Sequence, residues 1–384
     1  MFVYVYDYDY VYVNIGDMRI LLVSNGHGED RLAAALGKAL LTEAENLGIA
    51  CELKAASLAG DGWPYQHHLP EVSLIELPVK RFPSEGFLRS PGDWFKDLRA
   101  GLAGHVRRQY RALKKLSGFD VVVAVGDFFG LAMSHAVPCQ ARVFVPTAKS
   151  DRFQPHLNIE LFFIERWVQL IFPRDQETAG SLCHTGIRVE YVGNLMMDCL
   201  DHPRRLPSIR GVKHVIGILP GSHTEAYDNL KLVKQTIDYL LSWQVPLQFV
   251  MAVPHSLDIH RVKALMSKLP VICAQGSFRS VVDASEVVIG FSGTGNEQAV
   301  GLGKPVVTMP GHGPQTTLTR LWEQSQLLLG GAHVMEDGPC QAAEKIKSLL
   351  LHPEELAQHR DLGVRAMGAP GAALKMAKII LQIL

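Results

Sequence analysis

Two glycine-bearing segments in the second half of the chain have the residue types and spacing of phosphate-binding loops. Each follows an apolar run that predicts a strand, and each precedes a predicted helix. At such a junction, free backbone N–H groups and the helix dipole favour an anion. The candidate nucleotide-sugar residues are Gly221, Ser222 and His223 in one segment, and Ser292, Gly293, Thr294, Gly295, Glu297 and Gln298 in the other. Two such loops on one sheet indicate a diphosphate held from two sides, although each alone is also typical of an ordinary βα turn.

Three residues in the first half are candidates for proton transfer. His27 and Glu29 lie in a glycine-rich turn where a helix is predicted to begin, and a carboxylate is also favoured there as a simple cap. Asp127 directly follows the apolar segment 119–126, at the strand end where ligands bind in open α/β sheets. Partial burial would raise its pKa and make it a general base. The alternative interpretation is an N-cap for the helix predicted at 131–136.

The segment 80–115 combines cations with aromatic side chains. It contains ten Lys or Arg residues and three acidic residues. This mixture predicts contact with the headgroup region of a membrane, and the alternative is a solvated basic helix over 99–115 whose apolar stripe belongs to the core. The residues predicted to make this contact are Phe82, Phe87, Arg89, Trp94, Phe95 and Lys96. Because the chain of 384 residues has a formal net charge of zero, nucleic acid is not an expected partner.

Composition excludes several other classes of protein. The six cysteines are scattered without a C-x-x-C pair, which indicates reduced thiols rather than a disulfide framework or a zinc site, and the histidines form no metal-ligand set. No apolar stretch reaches the roughly 18–20 residues that span a bilayer. Residues 1–17 alternate valine with tyrosine and aspartate and have no cationic region, so we interpret them as an atypical extension before a working chain that starts near Met18.

Strand and helix signals alternate through both halves of the sequence. This alternation predicts an α/β protein with two doubly wound Rossmann-like domains that face each other across a cleft. The polar, proline-bearing segment 201–213 is the predicted linker. The predicted domains are therefore an acceptor-side domain over 18–200 and a nucleotide-sugar domain over 214–366.

The order of several short motifs resembles lipid-A-disaccharide synthase, and more closely the related proteins of cyanobacteria. The resemblance covers roughly Met18 to Leu384 and depends on six segments, which are Gly126–Phe129, Ile171–Pro173, Tyr191–Asp198, Leu219–Ser222, Ser292–Thr294 and Gly303–Val307. It implies a GT-B glycosyltransferase that inverts the configuration at the anomeric carbon of the transferred sugar. Such an enzyme needs no metal or other cofactor and takes a UDP-sugar as substrate. It also implies a lipid or amphipathic acceptor, a cytoplasmic location at the inner face of the membrane, and a C-terminal helix over 367–384 that packs back on the first domain.

The same resemblance assigns roles to matching residues. Asp127 resembles the family's general base, and Ser292, Gly293 and Thr294 match its diphosphate loop. The chain departs from the pattern at His223, where the synthase has arginine, and at Gln298, which stands where its ribose-binding glutamate would be. The alternatives are a UDP-sugar 2-epimerase of the same fold and a non-catalytic, membrane-associated protein that binds nucleotide sugars.

Overall fold

The computed structural model describes residues 17–80, 96–147, 149–200, 202–207, 209 and 211–384. The predicted extension is therefore outside the described residues except for Asp17, and so are Phe82, Phe87, Arg89, Trp94 and Phe95. The chain separates into two compact units. One contains the described parts of Met1–Thr147, Phe163–Ile171 and Met376–Leu384, and the other contains Ala148–Phe162 and Phe172–Lys375. The domain limits drawn from the sequence stay a prediction.

Parallel strands form the centre of each unit. In chain order they are β1 (Met18–Ser24), β2 (Cys51–Ser57), β3 (Ser73–Leu74), β4 (Val121–Gly126), β5 (Ala141–Pro146), β6 (Leu170–Ile171), β7 (Arg188–Val189), β8 (His214–Leu219), β9 (Leu247–Val253), β10 (Val271–Gln275), β11 (Val287–Gly290), β12 (Val306–Thr308) and β13 (His333–Met335).

The helices between these strands are mostly short. They are α1 (His27–Leu47), α2 (Trp63–His68), α3 (Leu102–Leu113), α4 (Phe128–Ser134), α5 (Asn158–Trp167), α6 (Gln176–Leu182), α7 (Ala226–Leu241), α8 (Ile259–Met266), α9 (Phe278–Ala284), α10 (Thr294–Gly301), α11 (Leu318–Trp322), α12 (Pro339–Leu351), α13 (Pro353–Met367) and α14 (Ala372–Leu381). A 3₁₀-helix covers Leu195–Asp198, and a π-helix covers Glu323–Leu328 directly after α11.

The strand order explains where a ligand site is expected in each unit. Strands of the first unit lie in the order β3-β2-β1-β4-β5-β6, and those of the second lie in the order β10-β9-β8-β11-β12-β13. The order reverses between β1 and β4 in the first unit and between β8 and β11 in the second. Open α/β sheets bind ligands beyond the carboxyl ends of the strands at such a reversal.

Buried apolar side chains pack the strands of each sheet against the neighbouring helices. Strand β4 is buried along its whole length, as expected when helices cover both faces of a parallel sheet. In the second unit, Ile218, Phe249 and Ile289 are fully buried from three neighbouring strands and pack with apolar side chains from the helices. The predicted doubly wound α/β class is therefore confirmed.

Short segments differ from the prediction in local detail. Residues 161–171 show mixed helix and strand signals, and the structure divides them into the end of α5 and the two-residue strand β6. The strand expected over 189–192 is only two residues long, as β7. The cause is that a short apolar run fits both periodicities, and its neighbours in the fold decide between them.

Candidate functional site

In the first unit, Asp127 caps helix α4 at the reversal between β1 and β4. Its Oδ1 accepts a hydrogen bond from the Gly130 amide at 2.9 Å. Its Oδ2 accepts one from Asn25 Nδ2, on the loop after β1, at 3.0 Å. The N-cap interpretation of Asp127 therefore describes its local role, and the carboxylate is also fixed at the strand end where a ligand is expected.

Glu29 lies beside Asp127 in the first turn of α1. Burial, together with the smaller effect of the negative charges of Asp127 and Asp30, raises the pKa of Glu29 from 4.5 to about 7 against the opposing effect of a backbone hydrogen bond. Space for this side chain depends on Gly126, which has a φ of +130°, and a Cβ there would lie 2.8 Å from Glu29 Cγ. A pKa near neutrality is suitable for a general base, because the group is partly ionised at the working pH.

A buried hydroxyl network fixes the next residue of the turn, Asp30. Its two carboxylate oxygens accept hydrogen bonds from Ser24 Oγ at 2.6 Å and Ser57 Oγ at 2.7 Å. Tyr65 Oη and Ser24 Oγ are 2.6 Å apart and share a further hydrogen bond. The Asp30 carboxylate is thus held by hydrogen bonds within the first unit. His27 begins α1, and its side chain is outside the described part.

In the second unit, the segment Ser292–Gly295 follows β11 and includes the first two residues of α10, so it lies at the strand-to-helix junction that the sequence predicts. The Ser292 amide donates to Asn296 Oδ1 at 3.3 Å, and the Gly295 amide donates to Ser292 Oγ at 3.1 Å. Among the described residues, no hydrogen bond acceptor is found for the amides of Gly293 and Thr294. Thr294 is also exposed, so two amides and a hydroxyl are available to an anion at the start of α10.

The loop after β8 lies against this segment. Gly221 has a φ of +95°, and a Cβ there would lie 3.1 Å from the Phe291 carbonyl oxygen. Ser222 and His223 are exposed, and the Ser222 carbonyl accepts a hydrogen bond from Ser256 Oγ at 2.6 Å. The structure therefore brings both predicted loops together at the reversal between β8 and β11.

Glu297 and Gln298 do not face solvent. Glu297 Oε2 accepts from Arg174 Nη2 at 2.5 Å, and their side chains are only 4% and 7% exposed, respectively. Gln324, in the π-helix, donates to Glu297 Oε1 at 3.1 Å and to the Gly293 carbonyl at 3.0 Å. Gln298 Nε2 donates to the Met196 carbonyl at 3.0 Å. Both residues therefore support the loop from beneath, and their roles as ligands stay a prediction.

Sequence reasoning missed a third segment at this edge, residues 309–317 after β12. Asn229 holds this segment through two hydrogen bonds to the His312 backbone. The His312 amide donates to Asn229 Oδ1 at 2.7 Å, and Asn229 Nδ2 donates to the His312 carbonyl at 3.1 Å. A Cβ at Gly293 would lie 3.0 Å from Gln315 Oε1, and Arg320 Nε donates to that oxygen at 3.4 Å. The signal available in the sequence was Gly311-His312-Gly313-Pro314, a turn after a strand.

The described residues contain neither a cluster of metal-ligating side chains nor a helix that could cross a membrane. Within the described ranges, no group of three or more His, Cys, Asp and Glu side chains is placed to hold a metal ion. None of the helices in those ranges combines the length and the apolar character that crossing a bilayer requires. Of the predicted membrane-contact residues, Lys96 is described, and it is exposed.

Comparison with known proteins gives structural counterparts only. No family model matches the sequence, and no curated protein matches it. The S. aureus MnaA–UDP co-structure aligns with a TM-score of 0.58 and 16% identity over 96% of this chain and 98% of that one. The UDP-GlcNAc 2-epimerase from Neisseria meningitidis bound to UDP-GlcNAc aligns with a TM-score of 0.54 and 14% identity over 95% of this chain and 100% of that one.

A glycosyltransferase aligns over the same extent. The spinosyn rhamnosyltransferase SpnG, complexed with spinosyn aglycone, gives a TM-score of 0.61 and 16% identity over 95% of this chain and 100% of that one. At such identities the likeness concerns the fold, and the narrower resemblance to lipid-A-disaccharide synthase stays a prediction. Two parallel sheets with alternating helices, shared with these structures, give the chain the two-domain GT-B α/β fold.

Proposed function

We propose that this protein is a glycosyltransferase that binds the diphosphate of a UDP-sugar at Ser292–Gly295. The observation that carries the proposal is the pair of amides at Gly293 and Thr294, which have no acceptor among the described residues and start helix α10 beside the exposed Thr294 hydroxyl. Free amides at the start of a helix favour a phosphate oxygen, and the helix dipole adds to this. Gly221 and Ser222 hold the other side of the diphosphate in this proposal.

The proposed reaction is an inverting transfer. Glu29 removes the proton from an acceptor hydroxyl, whose oxygen then forms a bond to the anomeric carbon of the sugar. The bond from that carbon to the β-phosphate oxygen breaks, and UDP leaves with the electron pair. Glu29 is chosen as the base because a pKa of about 7 makes it more basic than an ordinary carboxylate and still leaves it partly ionised at neutral pH, and Asp127 and His27 are the alternatives.

Charge on the departing UDP is stabilised by groups that are already in place. The amides of Gly293 and Thr294 donate to the diphosphate, and a pre-positioned donor needs no reorganisation during the reaction. The proposal therefore needs no cofactor, and the UDP-sugar is a substrate. Arg320 donates to Gln315 Oε1 at 3.4 Å, and in this proposal it supplies the positive charge that the synthase has in the arginine at the position of His223.

The acceptor proposed is a lipid or amphipathic alcohol, and the sugar is of the glucosamine type, acylated or not. This part rests on the resemblance to lipid-A-disaccharide synthase and on the cations of segment 80–115. It includes peripheral contact with the inner face of the membrane from the cytoplasm. Lys80 and residues 96–115, which include Lys96 and the basic helix α3, are the described parts of that segment.

A UDP-sugar 2-epimerase is the second candidate. Two of the structures that share the fold are a UDP-GlcNAc 2-epimerase bound to UDP-GlcNAc and a UDP co-structure. The same diphosphate loop serves this reaction, in which a base such as Glu29 acts on the sugar and no acceptor is needed. Incubation with UDP-GlcNAc alone, followed by NMR of the sugar, distinguishes the candidates, because only an epimerase changes the sugar without an acceptor.

Titration calorimetry with UDP tests the donor site. We expect binding by the wild type and about 10- to 100-fold weaker binding by Thr294→Val, because a hydrogen bond to a charged group contributes about 1.5–3 kcal/mol. Ser267→Ala, which removes an exposed hydroxyl at the end of α8, is the matched control and leaves affinity unchanged. Absence of UDP binding by the wild type would refute the proposal. Binding without turnover, with any acceptor or none, would indicate the non-catalytic alternative.

A further inference from the structure

A chain of buried polar groups lies behind the proposed diphosphate loop. The Ser292 amide donates to Asn296 Oδ1 at 3.3 Å, and Asn296 Nδ2 is 3.2 Å from His333 Nε2. The side chains of Asn296 and His333 are both completely buried. These contacts connect strand β13 to the first residue of the loop, although His333 has no contact with the surface where a ligand would bind.

The backbone determines the direction of every hydrogen bond in this chain. A backbone amide can only donate, so the atom of Asn296 that faces Ser292 is the oxygen. The other end of the Asn296 amide is then an NH₂ group, which needs an acceptor. His333 Nε2 is that acceptor, so the proton of the neutral imidazole is on Nδ1. His333 Nδ1 has no hydrogen-bond partner within the described residues.

Two features keep the imidazole in this state. Burial and, to a smaller extent, the charge of Arg320 lower the pKa of His333 from 6.5 to about 3, so the ring is neutral at physiological pH. Ser325 Oγ, in the π-helix, donates to the His333 carbonyl at 2.5 Å and fixes the backbone. A protonated ring, or the tautomer with its proton on Nε2, would place an N–H against the Asn296 NH₂ group, and two donors would then oppose each other.

We propose that His333 is a positioning residue for the donor loop. Its Nε2 lone pair fixes the Asn296 amide, which binds the Ser292 N–H inward and thereby leaves the next two amides, of Gly293 and Thr294, directed at the ligand. The inference rests on the proposed function, because it assumes that this loop binds a diphosphate. Without the acceptor, the Asn296 amide is free to rotate, and its NH₂ group would then oppose the Ser292 N–H.

The test compares apolar and polar replacements of His333. His333→Leu and His333→Met remove the acceptor, and the two variants guard against loss of the fold in either one. His333→Gln restores an acceptor oxygen. The matched control is His214→Leu, because His214 is also a largely buried histidine of the second unit, but it pairs with Glu286 at the amino end of β8.

Two readouts are measured well below the unfolding temperature of every variant. The first is hydrogen exchange of the peptide that contains the Ser292 amide, without ligand. The second is the dissociation constant for UDP. We expect His333→Leu and His333→Met to increase exchange about tenfold and to weaken UDP binding about five- to tenfold, and His333→Gln to recover most of both. His214→Leu lowers the unfolding temperature and changes neither readout.

The two readouts separate the possible failures. Unchanged exchange at Ser292 in both apolar variants would overturn the inference. Faster exchange with an unchanged UDP dissociation constant would also overturn it, since His333 would then act on stability alone. If the wild type does not bind UDP, the proposed function fails, and faster exchange in the variants would still support the hydrogen-bonded chain itself.

Discussion

The raised pKa of Glu29 predicts that replacing this residue stabilises the protein at neutral and higher pH while it greatly slows turnover. Burial raises the pKa from 4.5 to about 7, which corresponds to about 3 kcal/mol of free energy against the ionised form. The native state therefore holds a proton that the unfolded chain loses above pH 4.5. The resulting stability is fully present below pH 4.5 and is lost as the pH rises through 7.

Glu29→Gln keeps the shape of the side chain and removes the charge. At pH 4.5 the variant and the wild type should have the same free energy of unfolding. At pH 8 the variant should be more stable by up to about 3 kcal/mol, or roughly 6–12 °C in melting temperature for a unit of this size. Turnover should fall by about 10²- to 10⁴-fold, as for the loss of a general base.

Thermal unfolding across pH 4.5–8, with activity measured in parallel, is the assay. Glu45→Gln is the control, because Glu45 is an exposed glutamate on the same helix, α1. Its effect on melting temperature should not vary with pH. If Glu29→Gln gives the same difference from the wild type at pH 4.5 and at pH 8, then burial does not hold the proton on Glu29 and the assignment of the base is wrong.

Three other predictions concern the second unit. Arg174→Met leaves the buried Glu297 without its ion-pair partner and should lower the free energy of unfolding, measured in urea, by about 3–5 kcal/mol. The double variant with Glu297→Gln should recover most of this loss, and equal losses in the single and double variants would contradict the prediction. Gly221→Ala forces an L side chain to a φ of +95° with its Cβ 3.1 Å from the Phe291 carbonyl, so calorimetry should show weaker UDP binding and scanning a lower melting temperature. Since burial lowers the pKa of His333, the wild type should lose stability as the pH falls from 6.5 towards 3, and His333→Gln should lose less over that window; parallel acid-unfolding curves would refute this.

Local signals predicted the elements and the positions of the loops. Strand β4 is apolar on both faces, so its sequence alone indicates a covered parallel sheet, and Asp127 follows it as the expected cap. Helix α10 begins at Thr294, because glycine and hydroxyl residues end the strand there. These features depend on neighbours in sequence, and the sequence therefore contains what is needed to find them.

The partners of the loops could not be predicted in the same way. Arg174 reaches Glu297 from 123 residues away, and no local pattern marks it as a partner. The sequence around His333 is typical of an ordinary strand, and its proposed role in positioning the donor loop depends on the parallel pairing of β12 with β13. The role of Glu29 depends on the burial that the fold creates around it, since its sequence context fits a surface cap equally well.

The π-helix at Glu323–Leu328 has a consequence for changes in chain length. Consecutive side chains in this segment serve different buried partners, because Gln324 bonds to Gly293 and Glu297 while Ser325 bonds to the His333 carbonyl. A π-helical turn accommodates one residue more than an α-helical turn. Deleting a single residue just before Gln324 would restore α-helical spacing and turn both side chains by about 100° around the axis. This segment is therefore less tolerant of a deletion than of most substitutions, although it lies outside both predicted loops.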